Sequence, residues 1–156
     1  MNRILRGVVA VIVAQLLTFG VALAQDRGTG DEAKSLVAKG LAHVKAVGTA
    51  KAFEEFSAKD GKWTNKDLYI VVIGFNGEVL AHGTNKALIG KTMMEVKDAN
   101  GKAFTRDMIE LAKSKGSGWT DYMFTNPTTK KVEPKSTYSE RIPGFDGLLG
   151  VGIYKG

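Results

Sequence analysis

A chain of 156 residues with no cysteine is long enough for one domain with its own core. It has no thiols for disulfides, cysteine-held zinc, iron–sulfur clusters or c-type haem. Its net charge of +6 comes from lysines scattered among acids, and the densest patch, Lys130-Lys131 with Lys135, reads as solvated surface and not as a nucleic-acid footprint.

The chain opens on a basic stretch with Arg3 and Arg6, runs apolar over residues 8–23, and reaches Ala22-Leu23-Ala24. That order reads as a secretory signal peptide over residues 1–24, cut after Ala24. The alternative is an uncleaved membrane anchor over residues 8–24, since the run is about long enough to span. The Ala-x-Ala end and the polar Gln15 favour cleavage. Removing two arginines and no acid takes the net charge from +6 to +4. Export to the periplasm or beyond also removes nucleic acid as a partner.

Residues 25–30 are polar and Gly-rich, a short tether to a domain over residues 31–156. Asp31 to Val47 predicts a helix: acids lead, lysines follow, and Leu36, Val37, Leu41, Val44 and Val47 recur at helical spacing. Gly48 interrupts it, and Thr49 can cap a second short helix carrying Phe53 and Phe56. Asp60-Gly61 marks a turn. Asp67 to Gly83 then gives two strand-like runs joined by Asn76-Gly77, the strongest short hairpin signal. The first of these runs is apolar on both faces and predicts a strand inside a sheet covered on both sides.

Between Asn85 and Asp98 the pattern is mixed, with Gly90 breaking it, and Asp98-Ala-Asn-Gly101 is another turn. Ala103 to Lys115 predicts a helix with Phe104, Met108, Ile109 and Leu111 on one side. Trp119–Thr125, Val132–Arg141 and Leu148–Tyr154 are three strands separated by Asn126-Pro127 and Pro143-Gly144 turns. The order implies an α+β fold around a five-stranded antiparallel sheet with a long N-terminal helix and covering helices.

The register of the hairpin places particular side chains together. With a two-residue turn, Phe75 opposes Glu78 and Val71 opposes His82, so Tyr69, Val71, Ile73, Leu80 and His82 share one face. Tyr69 and His82 then either converge on a small polar ligand, or pack with the phenol outward and the imidazole on a backbone carbonyl. A bulge at Asn76-Gly77 reverses this parity. In the closing strands Trp119 or Tyr122 can wall a pocket, and either can equally be ordinary core. Lys135 and Tyr138 follow Pro134, where a missing amide predicts an edge position or a bulge. Such a bulge turns Lys135 inward to hold an anion; otherwise Lys135 is an exposed lysine.

Other signals fall away. Gly83 to Thr92 has six residues between its first glycine and Gly-Lys, where a phosphate-binding loop needs four. His43 and His82 are the only histidines and lack an acid cluster at ligand spacing, so no metal or cofactor is expected. No Gly-x-Ser-x-Gly elbow occurs, and no residues have the shape of a catalytic set.

The series DLYIVV, GEVLAHG, Asn85 with LIGK, GW-x-DY, NP, KK-x-E-x-KS-x-Y and the terminal GVGIY resembles the single Cache domains of the small, second type. These are PAS-like sensor domains found outside the cytoplasm. The resemblance implies a small ligand between the sheet and its covering helix and loops, held by Tyr69, His82, Trp119, Tyr122, Lys135 and Tyr138. It also implies a two- or three-carbon carboxylate as the ligand class. The expectation is therefore an exported binding domain for a small organic anion, not an enzyme, with no output module in the same chain. A tethered sensory subunit signalling in trans to a membrane kinase or chemotaxis partner is the alternative. An enzyme with an unrecognised site is the other.

Overall fold

The computed structural model of this chain describes residues 26–155; the signal peptide predicted over residues 1–24 lies outside them. Helix α1 (Gly30–Val47) starts where Thr29 and Glu32 form a reciprocal capping box, and it stops at Gly48, whose φ of 84° suits glycine. Helix α2 (Thr49–Phe56) follows at once, with Gly48 and not Thr49 in its N-cap position. The strands are β1 (Thr64–Asn65), β2 (Leu68–Gly74), β3 (Val79–His82), β4 (Ser117–Thr125), β5 (Val132–Arg141) and β6 (Gly147–Tyr154), with α3 (Phe104–Lys115) before β4. No helix among the described residues is long and apolar enough to cross a membrane.

Five antiparallel strands run in the order β3-β2-β6-β5-β4, and the two-residue β1 adds a sixth by pairing with the start of β2. Strand β2 lies between β3 and β6 and is buried along almost its whole length, as its apolar run requires. Two cores flank the sheet. On one face, Val37 and Val44 of α1 and Phe56 of α2 meet Ile70, Val72, Leu149 and Val151. On the other, Phe104, Met108, Ile109 and Ala112 of α3 meet Ile73 and Leu148. Gly40 lets α1 approach closely, because a Cβ there would lie 2.9 Å from Leu149 Cδ1.

The residues just before α1 are fastened to the domain. Gly28 N donates to Asp67 Oδ1 at 2.6 Å, and the Arg27 guanidinium pairs with Glu133 at 3.1 Å.

The hairpin departs from a two-residue turn. Gly77 N donates to Gly74 O, and Gly74 N donates to Glu78 O. Gly77 has φ 85°, and Asn76 is not in the left-handed region. The connection is therefore a three-residue loop ending in a left-handed glycine, which shifts the pairing by one. A bulge at Leu80 shifts it back, so Ile73 opposes Val79 while Val72 opposes Ala81 and Val71 opposes His82. Leu80 is thereby turned from the face predicted for it to the α1 side, and Val79 takes its place.

Pro134 causes neither of the expected irregularities. Strand β5 lies between β4 and β6, and its pairing with β4 is unbroken from Ser117↔Glu140 to Thr125↔Val132. The proline sits beyond the last residue of β6, where Lys155 N donates to its carbonyl.

Candidate functional site

Plain alternation along β5 turns Lys135 toward the α3 side of the sheet. Glycine at 152 on the neighbouring β6 leaves room for its stem, since a Cβ there would lie 2.2 Å from Lys135 Cε. The lysine is only 3% exposed. Its Nζ donates to Tyr69 Oη at 2.7 Å and sits over the rings of Tyr69, Tyr154 and Phe124 at 4.4, 4.8 and 5.1 Å. Among the described residues no carboxylate pairs with it within 4.0 Å.

The protonation of this cluster follows from its contacts. Burial works against the charge on Lys135, and the phenolic oxygens of Tyr122, Tyr69 and Tyr154, which attract it once they ionise at alkaline pH, hold the ammonium above its ordinary pKa. At neutral pH these phenols are uncharged and offer only dipoles. Burial pushes the Tyr69 phenol up, and the adjacent Lys135 charge and hydrogen bond outweigh that and hold it below its ordinary value. Tyr122 is pushed up by its burial and stays a neutral phenol. The result is a buried cation satisfied by dipoles and ring faces, with donors to spare.

His82, at the end of β3, stands beside Tyr69 with ring centroids 5.0 Å apart. The amides of Asn85 and Thr84 donate to its Nδ1 at 3.0 and 3.3 Å. Amides only donate, so the neutral ring carries its proton on Nε2. Burial first, and the Lys135 charge second, push its pKa down to about 4. At neutral pH His82 is thus an uncharged donor fixed in one tautomer by the turn that follows it.

These groups surround a cavity of about 40 Å³ lined by Tyr69, Val71, Ile73, Val79, His82, Leu88, Met93, Phe104, Thr105, Met108, Tyr122, Phe124 and Lys135. That is room for roughly three water-sized spheres. Its walls come from both layers. Tyr122 stacks flat on Phe104 at 4.4 Å and donates or accepts with Thr137 Oγ1 at 2.9 Å. Leu88 and Met93 come from the loop after β3, which Val79 and Gly77 bind by backbone hydrogen bonds to Lys91, Gly90 and Met93. Both side chains also border an outer groove with Thr84, Asn85, Pro127 and Lys130.

Of the six residues predicted from sequence, Tyr69, His82, Tyr122 and Lys135 line this cavity. Trp119 and Tyr138 do not. They pair across β4 and β5 with ring centroids 5.4 Å apart on the opposite face. There Trp119, 37% exposed, packs beside Gly30 of α1, and Lys34 of α1 lies over the Tyr138 ring. The reason is parity: each is an odd number of residues from its cavity-facing neighbour on an unbroken strand. Sequence reasoning missed Thr105, Leu88, Met93 and Tyr154. Thr105 had a signal, since it falls in the buried stripe 105, 108, 109, 112 of α3. Tyr154, whose hydroxyl donates to Thr125 O and lies 3.4 Å from Tyr69 Oη, had none beyond its strand.

Gly152 yields a direct prediction. Gly152→Ala should displace the Lys135 stem and weaken binding of any anion held by Nζ by about tenfold or more, with a stability loss of about 1–3 kcal/mol from overpacking. Titration calorimetry and thermal unfolding of the variant read the two effects separately.

The comparisons with known proteins agree with this architecture. Residues 22–156 match the family model of single Cache domain 2. A methyl-accepting chemotaxis protein from Vibrio parahaemolyticus is 24% identical and superposes with a TM-score of 0.69, over 80% of this chain and 86% of that one. A Cache chemosensory domain solved for its carboxylic acid recognition is 22% identical with a TM-score of 0.68, over 81% and 92%. A periplasmic sensor domain of a chemotaxis protein is 22% identical with a TM-score of 0.63, over 81% and 90%.

Proposed function

The chain belongs to the single Cache domain 2 family, and on that premise we propose that it binds a small organic acid of two or three carbons in the cavity around Lys135. The observation that carries this reading is the buried ammonium of Lys135, held by phenols and ring faces with no carboxylate partner among the described residues. A buried charge without a counter-charge is costly, and a carboxylate supplied from solution would offset that cost. One oxygen would take Lys135, and the other would accept from His82 Nε2–H or the Tyr69 hydroxyl. Val71, Ile73, Val79 and Met108 leave an apolar wall for a short carbon chain. The volume favours two or three carbons. Fuller occupancy would push Met93 outward, as its flexible side chain allows.

In this reading residues 1–24 direct export, residues 31–156 form the binding domain, and the protein works outside the cytoplasm as a sensor-type module and not as an enzyme. N-terminal sequencing of the native protein should find Gln25 first. Calorimetry of the purified protein against acetate, propionate, lactate, pyruvate, urea and amino acids tests the ligand class. At least one short acid should bind, and urea should not. A well-folded protein that binds none of the acids would overturn the proposal.

A further inference from the structure

Thr105 is the cavity's unexplained polar group. It is fully buried in the first turn of α3, it is one of the residues bordering the cavity, and its Oγ1 has no hydrogen-bond partner. A buried hydroxyl left unpaired is unfavourable, and in the first turn of a helix no helical carbonyl stands one turn back to accept from it. The cavity's other polar residues, Lys135, Tyr69, His82 and Tyr122, come from the sheet, whereas Thr105 comes from the helix layer laid over it. The helix also starts without a side-chain cap, because Ala103 occupies the N-cap position. That first turn also carries Asp107, which offsets the positive potential of its uncapped amides beside the hydroxyl.

Building on the small-acid reading above, we infer that Thr105 is a ligand-contacting residue that sets specificity, and that the ligand is a monocarboxylate carrying a hydroxyl or keto oxygen on its short carbon chain. The carboxylate takes the sheet-side pole at Lys135, and the second oxygen takes Thr105 Oγ. A second carboxylate does not suit this place. Lys135 is the only cationic side chain lining the cavity among the described residues, and a second buried charge near Thr105 would meet only a neutral hydroxyl. An unsubstituted acid leaves Thr105 Oγ without a partner. Discrimination then comes from an unpaired group in the site, which rejects an analogue lacking the matching oxygen more strongly than apolar contacts do.

The test uses the full protein, its Thr105→Val and Thr105→Ser variants, and three acids of equal carbon count: propionate, lactate and pyruvate. By calorimetry the parent should bind lactate or pyruvate at least about tenfold more tightly than propionate. Thr105→Val should erase that preference and leave propionate within about threefold, and Thr105→Ser should retain part of it. A preference that survives Thr105→Val overturns the inference. Equal weakening of all three acids also overturns it, because Thr105 would then meet the carboxylate. A parent that binds propionate as well as the oxygenated acids sinks this inference alone, whereas a parent silent to all three sinks the small-acid reading with it. Ligand-free thermal unfolding supplies an independent readout. Thr105→Val should unfold at the same temperature as the parent or higher, and a fall of several degrees would mean that the hydroxyl is bonded within the protein.

Discussion

Replacing Lys135 with methionine should abolish binding of the short acid and at the same time stabilise the ligand-free domain. Truncating one partner of a buried, hydrogen-bonded charge pair costs about 2–5 kcal/mol, so affinity should fall by roughly thirtyfold to several thousandfold. Without ligand the sign reverses. The ammonium is 3% exposed and has no carboxylate partner among the described residues, so its desolvation is offset only by Tyr69 and three ring faces. Methionine fills much the same stem volume beside Gly152 and carries no charge. Comparable replacements of buried ions by apolar side chains are neutral or stabilising by about 1–4 kcal/mol. For a domain of this size each kcal/mol is worth about 3–5 °C in Tm. Calorimetry and thermal unfolding together decide the matter. A Lys135→Met protein that loses both stability and binding would show that the lysine holds the sheet through Tyr69 and is not reserved for a ligand.

The second large effect is a pH dependence of stability centred on His82. Its folded pKa of about 4 lies below the ordinary 6.5. The unfolded chain therefore takes up a proton first as pH falls, and stability rises with pH wherever that holds. The contribution is fully present above pH 6.5, is lost progressively from 6.5 toward 4, and levels off below. A gap of this size corresponds to about 3 kcal/mol. Several carboxylates are held below their ordinary values by hydrogen bonds and cations, including Glu133 by Thr129 and Asn126, Asp98 by Met123 and Lys102 amides, and Asp121 by Lys155. Their losses set in from about one unit above the ordinary carboxylate values, so the upper part of the interval below pH 6.5 reports His82, and the His82→Gln variant isolates it. Urea unfolding in carboxylate-free buffers at pH 7, 6 and 5 should show stability falling by about 2 kcal/mol, and His82→Gln should flatten the slope. An equally steep slope in His82→Gln would assign the titration elsewhere. Saturating acid should also reduce the slope, because a bound carboxylate favours the protonated ring.

The hairpin shows how far local chemistry reaches. Val71 opposes His82 as the two-residue turn predicts, yet by a different route. The loop is one residue longer, and Leu80 bulges to compensate. Neither change is readable from Asn76-Gly77 alone, because each shows only in where the side chains end up, Leu80 against the α1 core and Val79 lining the cavity. In β5, Pro134 was the wrong guide. Lys135 faces inward by simple alternation, and Pro134 needs no bulge because β6 has already ended. Trp119 and Tyr138 carried the same aromatic signal as Tyr122, and only the choice of which face meets α1 and which meets α3 separates them.

The sequence by itself determined the order of helices and strands, the β2–β3 hairpin, the antiparallel α+β layout and the family. Each rests on local periodicity, turn residues and motif spacing, which act between near neighbours in the chain. Four of the cavity's residues were also legible, because strand alternation assigns side chains to one of two faces. Tertiary structure alone decided which face encloses the cavity. It also decided that Gly152 yields its space to Lys135, that Leu88 and Met93 wall both the cavity and the outer groove, and that Thr105 is left without a partner. Those outcomes depend on contacts between segments far apart in sequence, where burial and unpaired hydrogen-bonding groups are set by packing and by no pattern along the chain.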